Sequence, residues 1–255
     1  MVISTRELMA TYGETPVLQN ISLEIGGGQI LAMIGRNGAG KSTLFKALCG
    51  LVKPARGSIY FDGQDITRWP THKILAQGVS YMPQGAVLFD RLSVEENIRV
   101  VNARGRSYDQ AFETTRGYFL ACLDQRESVL MRLLDSLLGA RKGQLAGTLS
   151  GGQRQVICLA RSLLSDPKVL LWDEPSIGLS PSILPELATL MRHLAGKGKT
   201  ILLIDQKIEW VLNSAQEAVV MRKGEIAYRG SPGRLLEDRP LLLMLMGLDN
   251  RQDGA

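Results

Sequence analysis

Three short runs, Ile30-Leu31-Ala32-Met33-Ile34, Val169-Leu170-Leu171-Trp172 and Ile201-Leu202-Leu203-Ile204, are apolar at every position rather than at alternate ones. A strand with one wet face alternates, whereas a strand covered by helices on both faces does not, so these runs predict buried central strands. Helix-like stretches separate them, as the right-handed crossovers between parallel strands require. The expected fold class is therefore α/β with a parallel-sheet core. Two further segments, Gly57 to Gly63 and Val219 to Tyr228, read as short strands turned at Gly, the second a hairpin, and predict an antiparallel β layer beside that core.

From about Gly85 to Leu149 the pattern changes to helix. Ser93-Val94-Glu95-Glu96 carries the spacing of a capping box, with Ser93 accepting from the Glu96 amide and Glu96 reaching back. Val129, Leu130, Leu133, Leu134, Leu137 and Leu138 recur at helical spacing, which predicts packing within this insertion. No internal repeat, low-complexity stretch or long linker divides the chain. One domain over 1–255 is expected, with a helical subdomain at approximately 85–160 inserted in it.

Composition narrows the function classes. The 255 residues are 45% hydrophobic and 22% charged, enough for a sizeable core, and no run approaches the ~18–20 apolar residues needed to cross a bilayer. The first residues show neither a basic leader nor a cleavage site, so a cytoplasmic location is expected. Cys49, Cys122 and Cys158 lie far apart, in no metal-ligand spacing, and read as reduced core thiols. The net charge of +5 is a modest excess without a basic block, so nucleic acid is not an expected partner.

The chemistry begins where the first apolar run ends. Gly35-Arg36-Asn37-Gly38-Ala39-Gly40-Lys41-Ser42 fits G-x-x-x-x-G-K-[ST] with a strand before it and a helix-like stretch from Thr43 after it, the context of a phosphate-binding loop. Its glycines let successive backbone amides turn inward on phosphates, Lys41 can bridge β- and γ-phosphates, and the Ser42 hydroxyl can ligate Mg²⁺. Asp173 and Glu174 end the second run and are expected beside that loop, Asp173 holding Mg²⁺ and Glu174 polarising a water for attack on the γ-phosphate. Leu149-Ser150-Gly151-Gly152-Gln153 opens a helix whose apolar positions 156, 159, 160, 163 and 164 keep one face, with Ser150 as its N-cap. Such a start is a second anion site, which implies two chains meeting head to tail, each completing the other's γ-phosphate shell.

On these three motifs the chain resembles the ATP-binding-cassette ATPases, the nucleotide-binding subunits of ABC transporters, over nearly its whole length. The resemblance implies a P-loop NTPase (RecA-like) core with a helical subdomain that carries the Leu149–Gln153 motif. It also implies ATP and Mg²⁺ as cofactors. By it, Arg36, Asn37, Ala39, Lys41, Ser42, Thr43 and the loop glycines Gly35, Gly38 and Gly40 hold the nucleotide, with Ser150, Gly151, Gly152 and Gln153 acting across the dimer. Tyr12 matches the aromatic that stacks on adenine. Gln84, in Tyr81-Met82-Pro83-Gln84, matches the glutamine linking Mg²⁺ and attacking water to the helical subdomain, and residues 85–92 match the surface that faces membrane subunits. Partners implied are two transmembrane permease subunits, a second ATPase subunit and, indirectly, a solute-binding protein, at the cytoplasmic face of the membrane.

Two positions depart from the family pattern. Ser180, in Gly178-Leu179-Ser180-Pro181, stands where many cassettes have Asp, and Gln206 stands where the switch histidine usually lies. Gln206 can donate a neutral hydrogen bond to the γ-phosphate but supplies neither charge nor titration; His72 and His193 lie elsewhere. These departures, with Phe61 to Trp69, resemble the ATPases of branched-chain amino acid importers, and those of urea and short-amide importers are similar. A cassette acting on nucleic acid would carry long coiled coils or a second such domain, and a kinase or small GTPase has no use for Leu149 to Gln153.

Overall fold

The computed structural model describes residues 2–101, 107–124 and 126–248. Strands β1 (Ile3–Tyr12) and β2 (Thr15–Ile25) form a long antiparallel hairpin, after which β3 (Ile30–Ile34) leads into helix α1 (Lys41–Leu48). Then come β4 (Arg56–Phe61), β5 (Gln64–Asp65), α2 (Thr71–Ala76) and β6 (Val79–Met82). Helices α3 (Val94–Val101), α4 (Tyr108–Leu120), α5 (Val129–Asp135) and α6 (Gly151–Leu163) follow, with no strand between them among the described residues. The remainder runs β7 (Val169–Asp173), α7 (Leu184–Gly196), β8 (Thr200–Ile204), α8 (Ile208–Ser214), β9 (Glu217–Arg222), β10 (Glu225–Gly230), α9 (Pro232–Glu237) and α10 (Arg239–Met246).

Two sheets organise these elements. The larger has the order β10-β9-β3-β8-β7-β6, parallel from β9 through β6, and the smaller is the antiparallel sheet β2-β1-β4-β5. The three continuous apolar runs are β3, β7 and β8, and both of their faces are buried as expected. Ile30, Ala32, Ile34, Leu170, Trp172, Ile201 and Leu203 pack against the helices, while Leu31, Met33, Val169, Leu171, Leu202 and Ile204 pack toward α1 and the smaller sheet. Each of the Val, Leu, Ile and Met side chains among them contributes about 1.5–3 kcal/mol over leaving it exposed.

One expectation needs correcting. The hairpin at 217–230 does not join the antiparallel layer: β9 pairs parallel with β3 and β10 edges the main sheet, because Ala218 to Met221 are apolar at consecutive positions and fit a strand buried on both faces. The antiparallel layer holds β4 and β5, as Gly57 to Gly63 predicts, together with β1 and β2, which the apolar runs did not mark because polar residues are interspersed among their apolar ones. The carboxylate strand β7 is separated from β3 by β8, yet its end lies close enough to the phosphate loop for Asp173 and Glu174 to act on Lys41, as expected.

The helical stretch behaves as its pattern predicts. Ser93 and Glu96 form the reciprocal capping box, and Leu130, Leu134, Leu137 and Leu138 are buried in the same cluster as α6. The leucine spacing runs through α5 into a single π-turn, Ser136–Ala140. Trp172 on β7 donates its indole hydrogen to the Ser162 hydroxyl at 3.1 Å, tying α6 to the sheet beneath it.

Candidate functional site

The loop from Gly35 to Gly40 joins β3 to α1 along the path that its glycines permit. Gly35 has φ +148° and a Cβ there would lie 2.2 Å from the Met221 carbonyl oxygen; Gly40 has φ +102° and a Cβ there would crowd the Val17 carbonyl oxygen at 2.9 Å. Neither position admits a side chain without backbone movement. The loop is held from outside by the Gly224 amide, which donates to the Ala39 carbonyl. Lys41 lies along it, its Nζ donating to the carbonyls of Gly35 at 2.7 Å and Arg36 at 2.9 Å. Burial pulls the Lys41 ammonium below its ordinary pKa, and the charges of Asp173 and Glu174 oppose that. Ser42 and Thr43 follow in the first turn of α1, while Arg36 and Asn37 are exposed, the Arg36 guanidinium donating to the Gly247 carbonyl at 3.3 Å.

Asp173 ends β7, 2% exposed, and neither of its carboxylate oxygens has a donor in hydrogen-bond geometry. Burial pushes its carboxyl above the usual range; the Ser42 hydroxyl pulls it back, the Glu174 charge raises it further, and the Lys41 ammonium lowers it. A buried carboxylate with no donor, beside a hydroxyl and an ammonium, fits a divalent cation: Mg²⁺ is usually held by one or two carboxylates together with phosphates and water. Among the described residues no three His, Cys, Asp or Glu side chains gather, so Asp173 would share such an ion with neutral oxygens such as the Ser42 hydroxyl rather than with further carboxylates.

The three expected catalytic residues converge. Glu174 is 7% exposed, and its carboxylate accepts from Gln84 Nε2 at 2.9 Å and from Gln206 Nε2 at 3.0 Å to each oxygen. The Gln206 amide expected on the γ-phosphate is thus engaged with Glu174. Although β8 separates β7 from β3, it is β8 that delivers Gln206, two residues past its end. Glu174 itself has φ +56°, a left-handed backbone that costs a non-glycine residue on the order of 1 kcal/mol or more and persists only where the surroundings over-determine it.

Those surroundings include two residues that the sequence reading missed. Asp205 accepts from the Ser176 amide at 2.9 Å, the Ser176 hydroxyl at 2.7 Å and the Lys207 amide at 3.0 Å, locking the loop after Glu174 to the loop that carries Gln206. Gln155, 2% exposed on α6, donates to the carbonyls of Glu174 at 3.3 Å and Pro175 at 2.9 Å. The signals were present: Asp205 stands at the carboxyl end of a central parallel strand, where ligands gather, and Gln155 is a polar residue in register with the buried Leu159 and Leu163.

Ser150 caps α6 as expected. Its hydroxyl accepts from the Gln153 amide at 3.3 Å and the Gln153 side chain accepts from the Ser150 amide at 3.0 Å. Gly152 is packed so closely on the loop beyond Glu174 that a Cβ there would lie 2.7 Å from the Gly178 carbonyl oxygen. Among the described residues no hydrogen bond joins residues 150–153 to the phosphate loop, so one chain brings together Lys41, Ser42, Asp173, Glu174, Gln84 and Gln206 but leaves the Ser150 motif apart. Tyr12, the last residue of β1 before the turn at Gly13, is 51% exposed, which is not the burial of a packing aromatic.

With that geometry in place, comparison with known proteins defines the class: the chain matches the ABC transporter family over residues 18–177 and belongs to it. It is an ATP-binding, ATP-hydrolysing cassette of the P-loop NTPase fold. It is 34% identical over 92% of its length, and 95% of the relative's, to the high-affinity branched-chain amino acid transport ATP-binding protein BraG of Pseudomonas aeruginosa. The lipopolysaccharide export system ATP-binding protein LptB of Acidithiobacillus ferridurans is 29% identical over 96% of this chain and 97% of its own. A solved ATP binding subunit of an ABC transporter superposes with TM-score 0.76 at 26% identity, covering 99% of this chain and 96% of that one.

Proposed function

We propose that this chain is a single cassette domain that hydrolyses ATP to drive a membrane importer, with branched-chain amino acids as its cargo. The observation that carries the hydrolytic assignment is the Glu174 carboxylate, held by the amides of Gln84 and Gln206 at the end of β7 beside Lys41 and Ser42. Two amide donors leave the carboxylate oriented yet free to accept a proton from water, which is what a general base for in-line attack needs. Lys41 exchanges its loop carbonyls for β- and γ-phosphate oxygens, and the amides at the start of α1 receive the remaining charge. Ser42, Gln84 and Asp173 would hold Mg²⁺, which when bound would withdraw charge from the phosphates. Tyr12 stacks on the adenine, and Ser150, Gly151, Gly152 and Gln153 close on the γ-phosphate of a second cassette arranged head to tail.

The helical subdomain at 85–160 supplies the membrane-facing surface. A groove of about 620 Å³ between it and the core is lined by Leu75, Tyr81, Met82, Val87, Val100 and Arg161, and beside it Val87, Phe89 and Val100 are each more than half exposed. An apolar groove rimmed by one guanidinium fits a short segment of a transmembrane permease subunit. Among the described residues no helix is long and apolar enough to cross a membrane, so the chain would act there as a peripheral subunit at the cytoplasmic face. The cargo rests on the likeness to BraG; a solute-binding protein would act with the complex indirectly, and a urea or amide importer is the neighbouring reading.

Purification in gentle detergent with whatever membrane subunits accompany the chain, followed by reconstitution into vesicles, tests both levels. The expected result is ATP-dependent leucine, isoleucine and valine uptake that stops in Glu174→Gln. Uptake of urea alone, or extraction of lipid, overturns the cargo; ATP turnover undiminished in Glu174→Gln overturns the mechanism.

A further inference from the structure

Gln155 is a polar side chain with almost no exposure, and only one end of it is used. Its Nε2 serves two acceptors, the Glu174 and Pro175 carbonyls, and its Oε1 has no hydrogen-bond partner. Two carbonyl oxygens around one end of the amide fix that end as the NH₂. An apolar side chain of the same length would avoid the orphaned oxygen, so packing does not explain a glutamine here. What the amide grips is the left-handed Glu174 backbone and the residue after it, at a point where Asp205 already clamps Ser176 and Ile204 accepts from the Glu174 amide at 2.7 Å. The helix that supplies Gln155 opens at Ser150, and its first turn lies against Gly178.

We infer that Gln155 is a positioning residue for ATP hydrolysis: by holding the Glu174 and Pro175 carbonyls from the helix that opens at Ser150, it fixes the direction of the Glu174 carboxylate. The inference rests on the proposed role of Glu174 as base. It carries a consequence for a head-to-tail dimer. The helix whose first turn touches the partner's nucleotide also sets the backbone of the base that acts on the chain's own nucleotide, so a shift of α6 by a fraction of an ångström at one site reaches the other through one side chain. Misplacing a reacting group by about 1 Å costs on the order of 100-fold in rate, and releasing one of several clamps costs part of that.

The test is a double-mutant cycle on the full chain in its assembled complex. Gln155→Met keeps the volume and removes the donor. It should lower kcat by about 10-fold or more while ATP affinity stays within about 2-fold. In a Glu174→Gln background the same substitution should change the residual single-turnover rate by less than about 2-fold, because a residue that acts only through Glu174 has nothing left to position. A merely structural Gln155 would lower the residual rate in both backgrounds, and that result overturns the inference, as does undiminished kcat in Gln155→Met. Gln155→Asn, which keeps the amide on a shorter stem, should fall between wild type and Gln155→Met, and serves the same cycle if the Met variant folds poorly. Loss of turnover in Glu174→Gln with full activity in Gln155→Met sinks this inference alone, whereas full turnover in Glu174→Gln removes the assignment of the base and this inference with it.

Discussion

The carboxyl end of the main sheet and the start of α6 are both candidate phosphate sites, and they are built on opposite terms. At the sheet end polar groups are buried at a cost: Asp173 has two oxygens without donors, Glu174 sits in left-handed backbone and Lys41 is pulled below its ordinary pKa. At the start of α6 the side chains satisfy one another through the Ser150–Gln153 capping box, and the glycines pack against Gly178. The first region stores unfavourable free energy that a polyphosphate and a cation would relieve; the second is complete without a ligand and offers only its surface. A site that performs chemistry must hold charge out of water in advance, while a site that only closes on a partner's ligand need not.

The sharpest way to break this contrast is Glu174→Gln, expected to keep ATP but to lower turnover by about 10²–10⁴-fold and to trap an ATP-bound dimer, measured by phosphate release and sizing. Next in size is Lys41→Ala, which removes the ammonium that lies along the phosphate loop and should weaken ATP binding by roughly 100-fold or more by calorimetry. Equal affinity in that variant would mean that the phosphate loop is only a turn. Gln206→Ala should lower turnover by about 10-fold with little change in ATP affinity, since it releases one of the two donors on Glu174. Gln206→His should keep activity but bring a pH dependence between about 6 and 7 that the amide lacks.

Smaller effects on stability sharpen the comparison further. Burial raises the Asp173 carboxyl in the folded chain above its unfolded value, so this group destabilises the fold most once it is ionised and ceases to do so as pH falls. Asp173→Asn should therefore raise the melting temperature by about 2–4 °C near pH 7, with the advantage over wild type narrowing toward acid pH, even as turnover is lost. At the other site Ser150→Ala should lower the melting temperature by roughly 2–4 °C, the worth of a helix cap of about 1 kcal/mol. Ser150→Asp, which caps equally well, should restore stability but not turnover, because a carboxylate repels a γ-phosphate. Turnover restored by Asp would show that Ser150 is a cap and nothing more.

Much of this was legible before any coordinates. Gly35 to Ser42 declared the phosphate loop because glycine spacing and a following lysine are local requirements of a backbone that must wrap phosphate, and the structure gives the loop the φ values they permit. The capping box at Ser93 and the N-cap at Ser150 were equally local. Gln84 and Gln206 came only by resemblance; nothing in their neighbourhoods says that both meet Glu174, 90 and 32 residues away respectively. The hairpin at 217–230 was assigned to the wrong layer because a Gly turn reports that two strands pair, not which sheet they join.

The sequence by itself determined the chemistry: which strands are buried on both faces, where backbone amides can gather on phosphate, and which carboxylates stand at a strand end. Only the tertiary structure decided that β8 runs between β3 and β7, that Asp173 is left without a donor, and that Gln155 and Asp205 hold the Glu174 loop in a strained backbone. The physical reason is range. Turn geometry, caps and hydrophobic period depend on residues within a few positions of one another, whereas strand order, desolvation and the partners of a buried side chain are set by segments far apart in the chain, brought together by core packing rather than by local preference.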